Sequence, residues 1–231
     1  MSENFNTNTL LAPVLLEAKN ISHSFDYELF KNINLNIHQK ESLAIIGTSG
    51  SGKSTFLNIL SSLLKPTTGN VVFQSKDIYS LKQNDLLKIR RDDFGIIFQA
   101  HYLFRGFSAY ENLQISTLLS NEKLDLKLLE ELKIDHVINQ GIGELSGGQQ
   151  QRLSIARILM KKPKIIFADE PTGNLDKDTA NIVMNTLFNY VEQNSAALVL
   201  VTHEHELAFN CNRVFKLEQL SLKEIKKWIY F

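Results

Sequence analysis

Residues 47–55 form the stretch of this chain best suited to hold a phosphate chain. In order they are Gly47, Thr48, Ser49, Gly50, Ser51, Gly52, Lys53, Ser54 and Thr55, which matches the pattern G-x-x-x-x-G-K-[ST]. Glycines let the backbone turn tightly enough for successive N–H groups to surround phosphate oxygens. Lys53 adds a positive charge for the β- and γ-phosphates, and the Ser54 hydroxyl is a ligand for Mg²⁺. The stretch predicts a nucleotide site with a magnesium ion.

Two acidic residues, Asp169 and Glu170, follow the apolar run 165–168. Ligands of open α/β sheets bind at the carboxyl ends of the strands. Because adjacent strand residues point to opposite sides, two consecutive acids can serve one site in separate ways only where a strand ends. We expect Asp169 to hold Mg²⁺ through water, and Glu170 to orient and deprotonate the attacking water.

Two further polar residues end predicted strands. Gln99 closes the run FGIIFQ and offers an amide oxygen to Mg²⁺ or to the attacking water. His203 follows LVLVT and can donate a hydrogen bond to the γ-phosphate as charge develops. Phe25 precedes the phosphate loop and is a candidate to stack on adenine, with Tyr27 as the alternative. Alone, Gln99 and His203 are more typical of ordinary surface or core-edge residues, and Phe25 is equally typical of a core residue. Polar groups that end four predicted strands, 42–47, 94–99, 164–170 and 197–204, together favour a site.

Strands that alternate with helices must position these residues. Consecutive apolar residues are typical of strands buried on both faces of a parallel sheet, and such runs occupy 42–47, 94–99, 164–170 and 197–204. Residues 33–38 alternate apolar and polar positions, as a half-buried strand does. Helical patterns cover 53–64, 148–161 and 177–193. The sequence therefore predicts an α/β fold, with a helical lobe at 108–140 inserted into it.

Composition excludes several functional classes. The chain has 231 residues, and Lys+Arg and Asp+Glu both count 25, so no global basic field favours nucleic acid or anionic lipid. No stretch reaches the ~18–20 apolar residues of a membrane span. The N-terminus lacks the basic start of a signal peptide. We expect a soluble, cytoplasmic protein that binds no nucleic acid and reaches a membrane only through a partner. The single cysteine, Cys211, excludes an internal disulfide and suits an apolar filler.

Residues 144–152, ELSGGQQQR, contain no nucleophile–base pair and no metal-ligand set, although a helical apolar pattern follows them. Ser146 offers a hydroxyl group. Gly147 and Gly148 let backbone N–H groups approach a ligand closely, and the start of a helix adds the positive end of its dipole. The stretch has the means to contact an anion but no chemistry of its own.

Taken together, these motifs resemble the ATP-binding-cassette (ABC) ATPases over about residues 17–217. The shared motifs are the phosphate loop, the glutamine loop FGIIFQ, the signature LSGGQQQR, the acidic strand IIFADE, the aspartate loop GNLD and the histidine of VTHE. The resemblance implies a P-loop NTPase core with a mainly parallel sheet, an N-terminal antiparallel β subdomain and a helical subdomain at about 100–160. It implies one nucleotide-binding domain over 14–231, preceded by a flexible segment, 1–13.

The resemblance also implies a mechanism that uses ATP and Mg²⁺. Two identical subunits would face each other head to tail, with ATP on the Lys53 side of one subunit. The signature residues Ser146, Gly147, Gly148 and Gln149 of the other subunit would cover that ATP. ATP binding would close the dimer and hydrolysis would open it, with Asp176 connecting the two sites.

A narrower resemblance links 94–113 and DEPTGNLD to ATPases of lipoprotein-releasing, macrolide-exporting and cell-division complexes. It implies membrane permease subunits whose coupling helix docks near 100–113, and a place on the cytoplasmic face of the inner membrane. Lipoprotein release or related export is the favoured function. The alternative is a regulatory ATPase of the cell-division type that acts on cell-wall hydrolases. A cassette ATPase of DNA repair or translation is disfavoured, because the chain has no heptad arm, second cassette or basic stripe.

Two parts of the chain depart from the family pattern or lie beyond its motifs. The proline that usually precedes the signature is absent from NQGIGE (139–144). Near the C-terminus, Leu222, Ile225, Trp228 and Ile229 share one face if the segment is helical. That face predicts a helix that either packs on its own domain or docks on a partner.

Overall fold

The computed structural model of the chain describes residues 12–173 and 175–225. The strands are β1 Val14–Ser24, β2 Glu28–His38, β3 Glu41–Ile46, β4 Thr68–Phe73, β5 Lys76–Asp77, β6 Phe94–Ile97, β7 Ile165–Asp169, β8 Ala197–Val201, β9 Arg213–Glu218 and β10 Ser221–Ile225. The α-helices are α1 Lys53–Leu60, α2 Gln83–Asp92, α3 Ala109–Ser120, α4 Leu126–Glu131, α5 Gly147–Leu159, α6 Lys177–Gln193 and α7 His205–Phe209. Short 3₁₀ turns cover Asp135–Val137 and Ile142–Glu144. The predicted loose N-terminus lies outside the described residues as far as residue 11, as does Asn174 of the aspartate loop.

A six-stranded sheet in the order β10-β9-β3-β8-β7-β6 carries the site. All neighbouring pairs in it are parallel except β9 and β10. Successive residues of β3 alternate between two buried clusters, with Leu43 and Ile45 in one and Ala44 and Ile46 in the other. Both faces of the strand are therefore covered, which is why it reads as an uninterrupted apolar run. The predicted mainly parallel sheet is confirmed.

The second sheet is antiparallel, in the order β2-β1-β4-β5. The predicted alternation at 33–38 lies within β2, where Ile33, Leu35 and Ile37 are buried and the intervening residues are more exposed. The buried face joins the same apolar cluster as α1, and the rings of Phe30 and Phe56 meet edge to face at 5.4 Å. The N-terminal antiparallel unit is therefore attached directly to the helix that follows the phosphate loop.

Between β6 and β7 the described chain is helical and contains no strand. The Ser108 side chain accepts a hydrogen bond from the backbone N–H of Glu111, and the Glu111 carboxylate accepts one from the backbone of Ser108. This capping box fixes the start of α3. Asp125 caps α4 in the same way, by accepting from the backbone N–H of Leu128. Polar residues at these helix starts therefore explain where the helices begin.

The predicted C-terminal helix is wrong for residues 221–225. Those residues form β10, in which Leu222 pairs with Leu217 of β9 and Ile225 pairs with Val214. Gln219 and Leu220 connect the strands with φ of 47° and 61°, the left-handed values required at both centres of a tight hairpin. Neither residue has the sequence signature of such a turn, so the apolar spacing alone indicated a helix. Trp228 and Ile229 lie outside the described residues.

Candidate functional site

The phosphate loop, residues 47–52, connects the carboxyl end of β3 to the first residue of α1. Gly50 and Gly52 have φ of 77° and 95°, and Gly52 is the N-cap of α1. Glycine adopts these left-handed values without the steric cost that a Cβ would bring. No acidic residue lies in the first turn of α1, so the positive end of its dipole is uncompensated by the helix itself. The loop therefore has the backbone shape of an anion cradle.

An open cavity of about 410 Å³, here called the phosphate-loop cavity, lies at the carboxyl ends of β3, β7 and β8. The residues discussed above that line this cavity are Phe25, Tyr27, Ser49, Gly50, Gly52, Lys53, Ser54, Thr55, Asp169, Glu170 and His203. The Lys53 ammonium donates hydrogen bonds to the carbonyl oxygens of Gly47 at 2.9 Å and Thr48 at 3.0 Å. This cation is therefore held across the loop, at the wall of the cavity.

Asp169 and Glu170 both face this cavity although they are neighbours in the chain. The reason is the backbone of Glu170, whose φ is 47° directly after β7 ends at Asp169. A left-handed residue breaks the alternation of an extended strand, so both carboxylates can face the same space. The Glu170 N–H still donates to the carbonyl of Val201 at 2.9 Å, which ties the turn to β8.

Ser54 and Asp169 form the oxygen-rich side of the cavity. Burial raises the pKa of the Asp169 carboxyl above its ordinary value, and a hydrogen bond with the Ser54 side chain opposes that rise. A partly buried carboxylate whose charged form is disfavoured by burial gains from a nearby cation. A hydroxyl and a carboxylate are also hard oxygen ligands of the type that Mg²⁺ takes. The residues present therefore fit the predicted ion.

The Glu170 carboxylate is held by the two residues that directly follow β8, Thr202 and His203. Its Oε1 accepts from the backbone N–H of His203 at 3.0 Å and lies 2.8 Å from His203 Nδ1, while its Oε2 accepts from the Thr202 hydroxyl at 3.1 Å. The hydrogen bond to Glu170 is the main cause that raises the pKa of His203, and the charge of Glu170 adds to it. The carboxylate is thus oriented by three donors and favours the imidazolium form of His203.

Gln99 and Asp176 do not line the phosphate-loop cavity. Gln99 lies beside Gly173, where its Nε2 is 3.6 Å from the position that a Cβ on that glycine would occupy. Asp176 is the N-cap of α6, with its carboxylate accepting from the backbone N–H of Thr179 at 2.9 Å and from its hydroxyl at 2.7 Å. These hydrogen bonds lower the pKa of Asp176.

The candidate adenine-stacking rings lie at the mouth of the cavity. Phe25 is 62% exposed and Tyr27 is 65% exposed, and both line the cavity wall. Phe25 makes one further contact that holds its ring in place, edge to face with the ring of His23 at a centroid distance of 4.8 Å. The geometry leaves both residues as candidates.

The signature residues Ser146, Gly147, Gly148 and Gln149 do not line the cavity of their own chain. They form the start of α5, where the Ser146 hydroxyl accepts from the backbone N–H of Gln149 at 3.2 Å and Gln149 Oε1 accepts from that of Ser146 at 2.8 Å. Ser146 and Gly147 are exposed, and nothing lies within 4 Å of a Cβ built on Gly147. One chain therefore presents this helix end on its surface.

Sequence reasoning missed two buried amides near these segments. Gln151, the third glutamine of the signature LSGGQQQR, contacts the glutamine loop and the residue after Glu170. Asn112 of α3 is fully buried and exchanges hydrogen bonds with both the backbone N–H and the carbonyl of Phe104. Three consecutive glutamines and one asparagine in a helix carry no local signal for such contacts. Only the fold brings their partners within reach.

A profile of the ABC transporter family matches residues 30–173. The chain belongs to the ABC transporter family. This ABC ATPase is 42% identical over 219 residues to the lipoprotein-releasing system ATP-binding protein LolD of Rickettsia bellii. The aligned region covers 90% of this chain and 97% of that protein. It is 38% identical over 215 residues to the macrolide export ATP-binding/permease protein MacB of Wolinella succinogenes, across 88% of the chain and 33% of that protein.

Solved structures confirm the fold of this ABC ATPase. It resembles the dimeric post-hydrolysis state of an ATP-binding cassette bound to ADP and Pi, with a TM-score of 0.84 and 34% identity over 94% of this chain and 100% of that chain. The predicted P-loop NTPase fold and ATPase activity are therefore correct, and the chain binds ATP. Among the described residues, no helix is long and apolar enough to cross a membrane.

Proposed function

We propose that this ABC ATPase powers the release of lipoproteins from the inner membrane, or a closely related export reaction, by driving membrane permease subunits. Similarity to LolD along 97% of that protein is the observation that carries the proposal. The ATPase would act as a peripheral subunit on the cytoplasmic face. Residues 14–231 would form one nucleotide-binding domain, with 100–160 as its helical subdomain.

In the proposed site, the phosphate loop holds the ATP phosphates. Backbone N–H groups of residues 47–52 and the start of α1 surround the phosphates, and the Lys53 ammonium moves from loop carbonyls to phosphate oxygens. Ser54 and Asp169 would hold Mg²⁺, with Asp169 acting through water. Gln99, the third predicted ligand, lies outside the cavity and would reach the ion only after a shift of its loop. The ion, when bound, neutralises charge on the phosphates. Phe25 stacks on the adenine, with Tyr27 as the alternative.

Glu170 is the proposed general base. Its carboxylate lines the cavity beside Lys53 and is oriented by Thr202 and His203, so it can accept a proton from water near the γ-phosphate. His203 Nδ1 contacts Glu170, so its Nε2 is the atom that donates to the γ-phosphate when the ring is an imidazolium. The raised pKa of His203 favours that charged form.

We propose that two copies of the chain complete each site. The exposed start of α5 supports this, because Ser146 and the glycines lie outside the cavity of their own chain. In a head-to-tail homodimer, this helix end would cover ATP bound on the Lys53 side of the other copy. ATP would close the dimer and hydrolysis would open it. Asp176, at the start of α6, would lie where the two sites communicate.

Residues 100–113 are the proposed docking surface for a coupling helix of the permease. Tyr102 is 67% exposed and Phe104 is 51% exposed, whereas Leu103 between them packs against the apolar core. Arg157 of α5 donates to the Tyr102 carbonyl at 2.9 Å, and its guanidinium lies 5.9 Å from the centre of the Phe104 ring. The exposed rings are therefore presented on a fixed backbone, as a recognition surface requires.

Reconstitution of the complete complex tests this proposal. The chain is purified with its membrane subunits in lipid nanodiscs, and release of a fluorescent lipoprotein to a soluble acceptor is measured with ATP. We expect ATP-dependent release. Tyr102→Ser and Phe104→Ser should lower recovery of the complex about tenfold. The matched control Leu118→Ser, an exposed apolar residue of α3 outside this surface, should not.

The outcomes separate the alternatives. Assembly and ATP hydrolysis without lipoprotein release would refute the lipoprotein assignment, and stimulation by a macrolide would then identify the related export function. If no membrane protein co-purifies with the wild-type chain, the proposed coupling to a permease is wrong. Equal recovery of the docking variants and the control would exclude 100–113 as the docking surface.

A further inference from the structure

Gln151 is the third of three consecutive glutamines in α5, and it is only 2% exposed. Its neighbours Gln149 and Gln150 are half-buried. A buried amide must satisfy its donors and acceptor within the protein, because water cannot reach it. The partners of Gln151 lie in two other segments of the chain, 98–101 and 171, instead of in its own helix.

Hydrogen bonding fixes the orientation of the Gln151 amide. Its Nε2 donates to the carbonyl of Pro171 at 2.9 Å and lies 3.4 Å from the carbonyl of Phe98. Carbonyl oxygens only accept, so the amide nitrogen must face them. Oε1 is then left facing His101 Nδ1, with which it forms a short hydrogen bond. His101 Nδ1 must carry the proton of that bond, because Oε1 is an acceptor only.

This one side chain therefore joins three segments of the site. It projects from α5, the helix whose first turn presents Ser146 on the surface. It contacts the chain on both sides of Gln99, through the backbone carbonyl of Phe98 and the side chain of His101. It also holds the carbonyl of Pro171, the residue directly after Glu170.

We propose that Gln151 is a positioning residue that fixes the carboxylate of Glu170 relative to α5 and to the segment 98–101. It acts through the Pro171 backbone and touches no reacting atom. A rotation of α5 would move the Pro171 carbonyl with it, and Glu170 is the residue before it. The inference rests on the proposed role of Glu170 as general base. It adds a chain of contacts that runs from His101, in the proposed docking surface 100–113, through Gln151 to the residue after Glu170.

Gln150 provides a matched comparison within the same helix. Its Nε2 also donates to two carbonyls, those of Ile142 at 3.2 Å and Leu145 at 3.0 Å. Both acceptors belong to the turn that leads into α5, so these bonds support the start of the helix alone. The same substitution at 150 and 151 therefore separates loss of an amide from loss of the connection to Glu170.

Steady-state ATP hydrolysis by Gln151→Met and Gln150→Met tests the proposal. Methionine keeps the length of the side chain and removes both hydrogen-bonding groups. We expect kcat of Gln151→Met to fall about tenfold or more, because small displacements of a catalytic group are costly, with KM for ATP changed less than about twofold. Gln150→Met should lower kcat clearly less than Gln151→Met does, because its two bonds end in the turn before α5 and do not reach the segment of Glu170. Binding of a fluorescent ATP analogue and thermal unfolding are measured on the same samples.

Several results would overturn the proposal. A kcat for Gln151→Met near that of wild type would show that Glu170 does not depend on it. Equal kcat losses at 150 and 151, or a parallel loss of ATP affinity, would indicate general damage to α5.

If Gln151→Met does not fold, His101→Leu is the deciding variant, because it removes the ring that bonds to Gln151 Oε1 and changes only a half-buried position. We expect its kcat to fall about threefold with KM unchanged, and an unchanged kcat refutes the proposal.

Glu170→Gln is assayed in parallel to keep the two proposals distinct. Retained turnover in Glu170→Gln would refute the base assignment and with it the premise of this inference. Loss of turnover in Glu170→Gln with a normal Gln151→Met would refute the positioning role alone.

Discussion

The phosphate-loop cavity and the start of α5 both suit a phosphate ligand, but they use their side chains differently. In the cavity, Lys53 and Glu170 are tied to the protein yet still face the space that they line. At the start of α5, Ser146 and Gln149 bond to each other, and the surface beyond Gly147 is open. The first region is a concave site with several charged groups, whereas the second is a rigid, exposed helix end.

The difference shows how a motif without catalytic groups can still bind a specific ligand. The first backbone N–H groups of a helix have no partner within the helix. The capping box fixes their direction while the glycines leave them accessible. Such a surface completes a site only when another molecule brings the phosphate. The cavity is where that phosphate would be held, so in the proposed dimer the two regions would be complementary halves of one site, each from a separate copy of the chain.

The largest expected effect on ATP hydrolysis comes from a substitution in the phosphate-loop cavity. Glu170→Gln should lower kcat by about 10²–10⁴-fold, because the general base is lost while the shape is retained. ATP should still bind, and a stable dimer should accumulate in size-exclusion chromatography with ATP. Glu204→Gln is the control, since Glu204 accepts a hydrogen bond from Thr172 and does not line the cavity. Rapid turnover in Glu170→Gln would contradict the assignment.

The proposed role of the start of α5 predicts that two inactive variants of the chain restore activity when they are mixed. Ser146→Arg should abolish hydrolysis by blocking the surface that covers the other copy's ATP, and Lys53→Ala should abolish ATP binding in its own cavity. Mixed in equal amounts, the two should recover about a quarter of wild-type activity if single sites can fire, because half of the dimers contain one complete site. Full activity of Ser146→Arg alone would show that α5 does not cover a nucleotide.

A smaller effect should distinguish the two rings at the mouth of the cavity. Base–aromatic stacking contributes ~1–3 kcal/mol, so replacing the stacking ring by alanine should raise KM for ATP about tenfold. We expect this for Phe25→Ala and a change below about twofold for Tyr27→Ala. Phe25→Tyr, which keeps a ring, is the control. The reverse result would assign the stacking role to Tyr27.

The smallest effect concerns the protonation of His203. The Glu170 carboxylate raises the pKa of His203 above its ordinary value, so the imidazolium persists to higher pH and is lost as pH rises through that raised pKa. In Glu170→Gln the main cause is removed, and the pKa should fall. NMR titration of the His203 ring, assigned with His203→Gln, measures both values. Equal pKa values in the two proteins would mean that the contact does not control the ring.

The parts of the site that could be predicted are those encoded by short segments. The phosphate loop is recognisable because glycines at fixed spacing impose the turn locally. The shared use of Asp169 and Glu170 could be expected from the end of an apolar run. The left-handed backbone that achieves it could not, because glutamate has no local preference for φ above zero. Helix α2 was also missed, since only Ile89 of its ten residues is buried and the segment is mostly polar, with Leu86, Leu87 and Ile89 as its apolar residues.

Long-range contacts account for the rest. The sequence does not distinguish Gln151 from Gln149 and Gln150, because all three have the same propensity in a helix. Their different roles depend on which carbonyls the fold places nearby. The hairpin at Gln219 and Leu220 was missed for a related reason. Its two left-handed residues are stabilised by the pairing of β9 and β10, and not by a glycine or asparagine.

The left-handed backbone at Glu170 also bears on attempts to make this protein more heat-resistant. A non-glycine residue at such φ costs ~1–3 kcal/mol, and glycine or asparagine relieves part of that cost. The backbone alone therefore favours Gly or Asn at position 170, against the hydrogen bonds that the Glu170 carboxylate accepts from Thr202 and His203. Each would remove the proposed base. At this position, stabilisation and turnover are opposed, so a stability screen needs an activity readout beside it.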